Sequence, residues 1–167
     1  LCPDSKIYVD AYDHFGLFGE NGKTIMAHCV SSTEDEIDLL EKRGVYIAHC
    51  PQSNTNLSSG IAPVRTYLDR GMRVGLGSDV AGGSGESIFR AMADAIQVSK
   101  LRWRLADENL KPITVEEAFY MGTMGGGSFF GKVGSFLEDY DFDAVILDDE
   151  NLLHPQPLTL RERLERF

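Results

Sequence analysis

The sequence predicts an α/β protein with parallel strands, and two observations lead to this fold class. First, short apolar runs alternate with helical patterns in the order β-α-β-α-β-α. Second, three of these runs end in a polar residue, namely His28, His49 and Asp79. Buried parallel strands read as apolar runs, and ligand-binding side chains follow their carboxyl ends. The sequence therefore predicts a parallel sheet with chemistry at one edge.

The first βαβ unit is predicted at residues 23–49. A strand at 23–28 is followed by Thr33 and Glu36, which have the spacing of a capping box at the start of a helix. Gly44 ends that helix, and a second strand at 45–49 begins at once. A crossover of this kind predicts parallel strands and a right-handed connection.

The remaining elements are predicted from the same patterns. They are a short helix and turn in residues 1–22, a polar loop at 50–60, a helix at 62–69, a strand at 73–78, a helix at about 86–105, a helix at 114–120 with a capping box, a strand at 143–148 and an amphipathic segment at 159–167. The long helix is expected to turn one apolar face inward. That face contains Ile88, Met92, Ala95, Ile96, Ser99 and Trp103.

Composition limits the classes of function. The formal charge of −10 argues against binding to nucleic acid or to an anionic membrane surface. No apolar run has the length of a transmembrane helix, and the first residues do not resemble a signal peptide. Three cysteines without a CxxC pair indicate a reducing, cytoplasmic setting. Both ends are expected to be cut from a longer chain, since no initiator methionine or terminating signal is present.

Three side chains form the candidate site. Because the carboxyl ends of neighbouring parallel strands meet in one crevice, His28, His49 and Asp79 are expected to converge. Histidine and carboxylate side chains suit zinc or iron. Asp79 alone could be a metal ligand or a general base, but a turn residue is the more common case, and His28 alone could be a hydrogen-bonded core histidine. Taken together, the three residues favour a site.

Other motifs are excluded. Gly75 and Gly77 begin a dinucleotide-binding pattern, but Val80 stands where a glycine or alanine is needed. Neither a GxSxG nucleophile turn nor a Walker loop is present. Cys29 and Cys50 each follow a histidine, but strand alternation turns them away from it, so we expect buried or loop cysteines rather than nucleophiles.

Three segments of the sequence resemble the amidohydrolase superfamily, in particular its guanine deaminase family. They are MAH at 26–28, HCPQSN at 49–54 and GSDVAGG at 77–83. The later pattern of a helix, a glycine-rich segment and an Asp-Ala-Val strand resembles the same family, so the likeness covers nearly the whole chain.

The resemblance implies a particular architecture. Residues 1–135 would be the C-terminal βα units of a TIM barrel, carrying its strands six, seven and eight. Residues 136–167 would return toward a small β-sandwich domain and end in a terminal helix.

The resemblance also implies an activity, the zinc-dependent hydrolytic deamination of guanine to xanthine and ammonia, with iron as an alternative metal. Asp79 would bind the zinc and handle the proton of the attacking water, and His28 would hydrogen-bond that water or the developing oxyanion. His49, Ser53 and Asn54 would bind the purine. The intact enzyme would be a cytoplasmic homodimer.

Several parts of the family pattern have no match in this sequence. They are a His-x-His pair, a strand-five histidine, a glutamate three residues after it and an upstream arginine. The chain is therefore expected to be inactive alone. The alternatives are a catalytically empty α/β module that binds a ligand or complements another chain, or a related purine or pterin deaminase or chlorohydrolase.

Overall fold

The chain folds around a three-stranded parallel sheet, as the sequence predicts. The computed structural model describes residues 2–19 and 22–167. The strands are β1 (Ile25–Ala27), β2 (Tyr46–His49) and β3 (Val74–Leu76), in the sheet order β1-β2-β3. In the register of the sheet, Ile47 lies beside Met26 on one side and Val74 on the other.

Helices follow and precede these strands along the chain. They are α1 (Asp10–His14), α2 (Glu34–Lys42), α3 (Pro51–Asn56), α4 (Val64–Asp69), α5 (Ile88–Leu105), α6 (Val115–Tyr120) and α7 (Leu160–Leu164). A π-helical segment, Met121–Gly125, continues α6. Over residues 2–19 and 22–167, no helix is both long and apolar enough to cross a membrane.

The predicted capping boxes are confirmed, and the first one also fastens the N-terminal segment. Thr33 Oγ1 accepts from the Glu36 amide at 3.4 Å, while Glu36 accepts from the Thr33 amide at 3.0 Å. The buried Glu36 carboxylate accepts a second bond, from the Tyr8 amide at 3.0 Å. The second box, at Thr114, has the same two reciprocal bonds.

The apolar core lies between the sheet and helices α2, α4 and α5. Its fully buried members include Ile37, Leu40, Ile47, Tyr67, Val74 and Ala95. The Tyr67 hydroxyl donates to the Cys29 carbonyl at 2.6 Å, so the core also holds the loop that follows β1. This loop begins with His28.

The predicted polar loop at 50–60 is wrong, because it contains α3. The segment has no apolar period, so its sequence does not indicate a helix. Pro51 is suited to the first turn of a helix, where its missing N–H has no intrahelical partner. The helix buries the polar residues Ser53 and Asn54.

The predicted strand at 143–148 is also wrong. The structure shows no strand there, and Val145 and Ile146 are 79% and 95% exposed. An apolar segment becomes a strand only when another strand is placed to receive its hydrogen bonds.

Two smaller predictions also need correction. Trp103 is 39% exposed rather than inward-facing, and its Nε1 donates to the Glu108 carbonyl at 2.9 Å. The helix predicted in residues 1–22 is limited to α1, five residues long. Leu1, Glu20 and Asn21, within that prediction, lie outside the described residues.

Candidate functional site

The sheet brings His28, His49 and Asp79 to one edge. His28 directly follows β1, His49 ends β2, and Asp79 comes three residues after β3. The pairing continues past the strands, because the His28 amide donates to the Ala48 carbonyl at 2.9 Å and the Gly77 amide donates to the His49 carbonyl at 2.9 Å. His28 Nε2 lies 3.8 Å from Asp79 Oδ2.

The backbone is strained where these side chains leave the sheet. His28 has a φ of 67° and Asp79 a φ of 45°, in the left-handed region that residues other than glycine rarely adopt. Such conformations persist when the surrounding structure enforces them, and they concentrate at functional sites. Strain at both residues therefore supports a functional role for the pair.

Asn54 orients the His28 ring. Its Oδ1 lies 2.8 Å from His28 Nδ1, so the neutral ring carries its proton on Nδ1 and a lone pair on Nε2. That lone pair faces a carboxylate oxygen of Asp79, which is also an acceptor. A water molecule with two O–H donors, a proton or a cation between the two atoms would satisfy both.

The loop that carries Asp79 lies directly against α3. A Cβ atom added to Gly82 would lie 2.8 Å from Ser53 Oγ and 2.9 Å from Asp79 Oδ2. Both distances are shorter than real Cβ contacts, so a side chain at position 82 would displace both groups. Glycine is therefore required for the observed position of the Asp79 carboxylate.

His49 lies behind the exposed pair. Its side chain is buried, and neither ring nitrogen has a hydrogen-bond partner in the described part of the chain. Burial, with a smaller contribution from the charge of His28, lowers the pKa of His49 to about 4. The ring is therefore neutral at pH 7.

Two other predicted binding residues share this environment. Ser53 Oγ and Asn54 Nδ2 are buried and likewise have no partner among residues 2–19 and 22–167. His28 and Asp79 instead have side chains that are 40% and 39% exposed. A ligand arriving at this edge of the sheet meets His28 and Asp79 first, and it reaches His49, Ser53 or Asn54 only if neighbouring side chains move.

The donor types fit zinc, but their number is incomplete. Carboxylate and imidazole are zinc ligands, and catalytic zinc sites take three protein ligands. In the part of the chain that the structure describes, no group of three or more histidine, cysteine, aspartate or glutamate side chains surrounds a common point. Asp79 and His28 therefore form, at most, part of a metal site.

The two thiols near the site do not suit nucleophilic chemistry. Burial raises the pKa of Cys50, and the nearby Asp79 charge raises it further. Burial and the Glu36 charge raise the pKa of Cys29 to about 11. Thiols that stay protonated at neutral pH are poor nucleophiles, which agrees with the expectation from the sequence.

Gln52 and Asn56 are residues of this region that the sequence reasoning missed. Both lie on α3 and contact the loop at 79–84. Gln52 stands inside the HCPQSN motif, but the prediction of a loop there removed any reason to assign it a contact.

The fold and site define an α/β protein with a histidine–carboxylate pair at the carboxyl edge of a parallel sheet. The amidohydrolase family model matches residues 5–165. The chain therefore belongs to the amidohydrolase family, as its motifs predict.

Individual relatives narrow the comparison. The chain is 41% identical over 151 residues to a guanine deaminase of Dictyostelium discoideum, covering 89% of this chain and 33% of the relative. It is similar to the crystal structure of a guanine deaminase from C. acetobutylicum with guanine bound in the active site, with a TM-score of 0.92 and 52% identity over 98% of this chain and 38% of that one. An adenosine deaminase from Xanthomonas campestris with bound zinc is less similar, with a TM-score of 0.65 and 26% identity over 76% of this chain and 28% of that one. The chain spans about a third of the length of the curated relatives it matches.

Proposed function

We propose that this chain forms part of a guanine deaminase, which hydrolyses guanine to xanthine and ammonia. The observation that carries the proposal is the 3.8 Å approach of His28 Nε2 and Asp79 Oδ2 at the exposed carboxyl edge of the sheet. The close similarity to a guanine deaminase structure with bound guanine supports the choice of substrate. The less similar structural relatives include an adenosine deaminase at 26% identity, whereas the relative at 52% identity is a guanine deaminase.

The chain's place in the intact enzyme is a second part of the proposal. Residues 1–135 would supply strands six to eight of a TIM barrel, and residues 136–167 would lead back to a small β-sandwich domain. The three-stranded open sheet and the one-third share of the relatives' length support this arrangement. Exposed Val145 and Ile146 are suited to pairing with that second domain.

The proposed reaction uses His28 and Asp79 around one water molecule. The water adds to the ring carbon that carries the exocyclic amine, and its proton passes to Asp79. The amine takes up this proton from Asp79 and leaves as ammonia, while the second proton of the water ends on the neighbouring ring nitrogen as the new carbonyl group forms. With its proton on Nδ1, His28 accepts a hydrogen bond from the water through Nε2 and so fixes the direction of attack.

Zinc is the proposed metal, with iron as the alternative. Asp79 is the ligand that this chain would contribute, and the remaining ligands would come from barrel units outside it. When bound, zinc lowers the pKa of a coordinated water toward neutrality. A zinc-containing deaminase among the structural relatives supports this choice.

His49, Ser53 and Asn54 are the proposed purine-binding residues. Their buried polar atoms without partners support this role, because such atoms carry a desolvation cost that a ligand's hydrogen bonds would remove. We also propose that the intact enzyme is a homodimer and lies in the cytoplasm. Gel filtration with light scattering tests the homodimer.

The decisive experiment measures xanthine formation from guanine by the intact protein. Asp79→Asn should lower kcat by about 10²- to 10⁴-fold, because the variant removes the proton acceptor without changing size. Asp143→Asn, on an exposed residue far along the chain, serves as the control. Wild-type turnover that persists in Asp79→Asn would contradict the proposal.

A further inference from the structure

Two side chains of α3 hold the backbone of the loop that carries Asp79. Gln52 Oε1 accepts a hydrogen bond from the Ser84 amide at 3.0 Å. Asn56 Nδ2 donates to the Gly82 carbonyl at 3.1 Å. The two contacts lie four residues apart on the helix, so they attach both of its turns to the loop.

The loop itself is tight and strained. The Gly83 amide donates to the Asp79 carbonyl at 2.6 Å, closing a short turn. Within this turn Asp79 has a φ of 45° and Ala81 a φ of 97°. Two non-glycine residues in left-handed conformations are unfavourable in isolation, so contacts from outside the turn are needed to keep this shape.

The same helix also holds the other half of the site. Asn54, between Gln52 and Asn56, accepts the hydrogen bond from His28 Nδ1. Ser53 lies against Gly82 and therefore beside the Asp79 carboxylate. Side chains of one six-residue helix thus reach both His28 and the Asp79 loop.

We propose that α3 positions His28 and Asp79 relative to each other, with Gln52 and Asn56 as positioning residues for the Asp79 loop. Neither residue touches the reacting atoms in this scheme. They act by keeping the carboxylate within reach of the water held by His28, where a displacement of about 1 Å costs on the order of a hundredfold in rate. The effect on rate rests on the proposed function, whereas the effect on the loop does not.

The first test measures amide hydrogen exchange in the intact protein. Gln52→Met keeps the length of the side chain and removes its acceptor, so exchange at Ser84 should accelerate about three- to tenfold. Gln52→Glu keeps an acceptor at the same place and should stay within about twofold of wild type. Gln97→Met, on an exposed position of α5, is the matched control. Unchanged Ser84 exchange in Gln52→Met would overturn the proposal.

The second test uses guanine turnover. Gln52→Met should lower kcat about tenfold while KM changes less than about twofold, and Gln52→Glu should restore most of the rate. Asn56→Asp removes the donor on an exposed residue and should lower kcat in the same way, whereas Asn151→Asp should not. If Gln52→Met fails to fold, or changes KM and not kcat, and Gln52→Glu does not restore the wild-type behaviour, the positioning role is contradicted.

The two tests separate the two proposals. If the intact wild-type protein does not deaminate guanine, the proposed function fails, and the exchange of Ser84 still decides whether α3 holds the loop. If turnover is present and Ser84 exchange responds but kcat does not, the loop is held by α3 and the positioning role is overturned.

Discussion

His28 Nδ1 lies 2.8 Å from Asn54 Oδ1, so the residue after β1 is oriented by a helix that follows β2. This bond links two neighbouring strands at the level of the site. It also places the ring proton on Nδ1, so the nitrogen that faces Asp79, Nε2, carries the lone pair. The geometry of the pair therefore depends on a residue that contacts only one of them.

Replacing Asn54 should disturb catalysis through His28. Asn54→Leu keeps a similar volume but removes the acceptor and leaves a partly buried imidazole N–H unpaired. We expect kcat for guanine to fall about tenfold to a hundredfold. Steady-state kinetics measure the rate, and the ¹⁵N chemical shifts of the His28 ring measure which nitrogen is protonated.

Asn54→Asp is the matched control for this prediction. A carboxylate at position 54 still accepts from Nδ1, so the protonated nitrogen should be the same as in wild type. If Asn54→Leu leaves both the ring shifts and kcat unchanged, the hydrogen bond does not orient the ring.

Gly82→Ala should damage the site more than the fold. The added methyl group would lie 2.8 Å from Ser53 Oγ and 2.9 Å from Asp79 Oδ2, so the Asp79 carboxylate must shift. Ordinary contact begins at 3.4 Å, so the carboxylate has to move by about 0.5 Å, and kcat should fall about tenfold because a displacement of about 1 Å costs on the order of a hundredfold. Enzyme kinetics and thermal unfolding should be measured together.

Gly85→Ala provides a control in the same loop region. A Cβ atom at position 85 meets no atom within 4 Å. This variant should retain activity within about twofold, because no neighbouring group has to move. Equal losses in the two variants would mean that flexibility of the loop, rather than contact at Gly82, determines the rate.

The parts of the site that were predictable are those carried by strands. Apolar runs ending in His28, His49 and Asp79 specify both the parallel sheet and the edge where these residues meet. The contacts made by α3 were not predictable, because a short polar helix has no apolar period to identify it. Its position is held by hydrogen bonds from its polar side chains to His28 and to the loop at 79–84, which only the assembled structure shows.

The segment at 143–148 shows the opposite failure. Its continuous apolar run at 144–147 is typical of a strand, but in the described chain it has no strand beside it, and Ile146 is 95% exposed. Strand formation depends on a hydrogen-bonding partner that is often distant in sequence, so a local pattern does not determine it.

Tight zinc binding should require ligands from parts of the intact protein outside this chain. Asp79 and His28 are too few ligands for tight binding, so the isolated 167-residue chain should retain much less than one zinc after dialysis. The intact protein should retain about one zinc per chain and lose guanine turnover on chelation, with recovery on adding zinc. Elemental mass spectrometry measures both.

A stoichiometric zinc in the isolated chain would contradict this prediction. It would mean that the described residues rearrange to complete the site or that two copies share the metal. Asp79→Asn in the isolated chain separates specific from adventitious metal, since only specific binding should require this carboxylate.

Stability should depend on the protonation of His49. Its pKa is lowered from an ordinary value of 6.5 to about 4 in the folded chain, mainly by burial. Between these values the unfolded chain binds the extra proton and the folded chain does not, so stability rises with pH. The contribution is fully present above about pH 6.5 and is lost as the pH falls toward 4. The difference between the two pKa values corresponds to about 3 kcal/mol.

Urea unfolding of wild type and His49→Gln at several pH values between 4 and 7 measures this contribution. The free energy of unfolding of wild type should fall by about 3 kcal/mol more than that of the variant across this range. His154→Gln, which changes an exposed histidine, should follow wild type. Parallel pH dependence in wild type and His49→Gln would show that His49 gains a partner or solvent contact in solution, so that its neutral form is not favoured by burial.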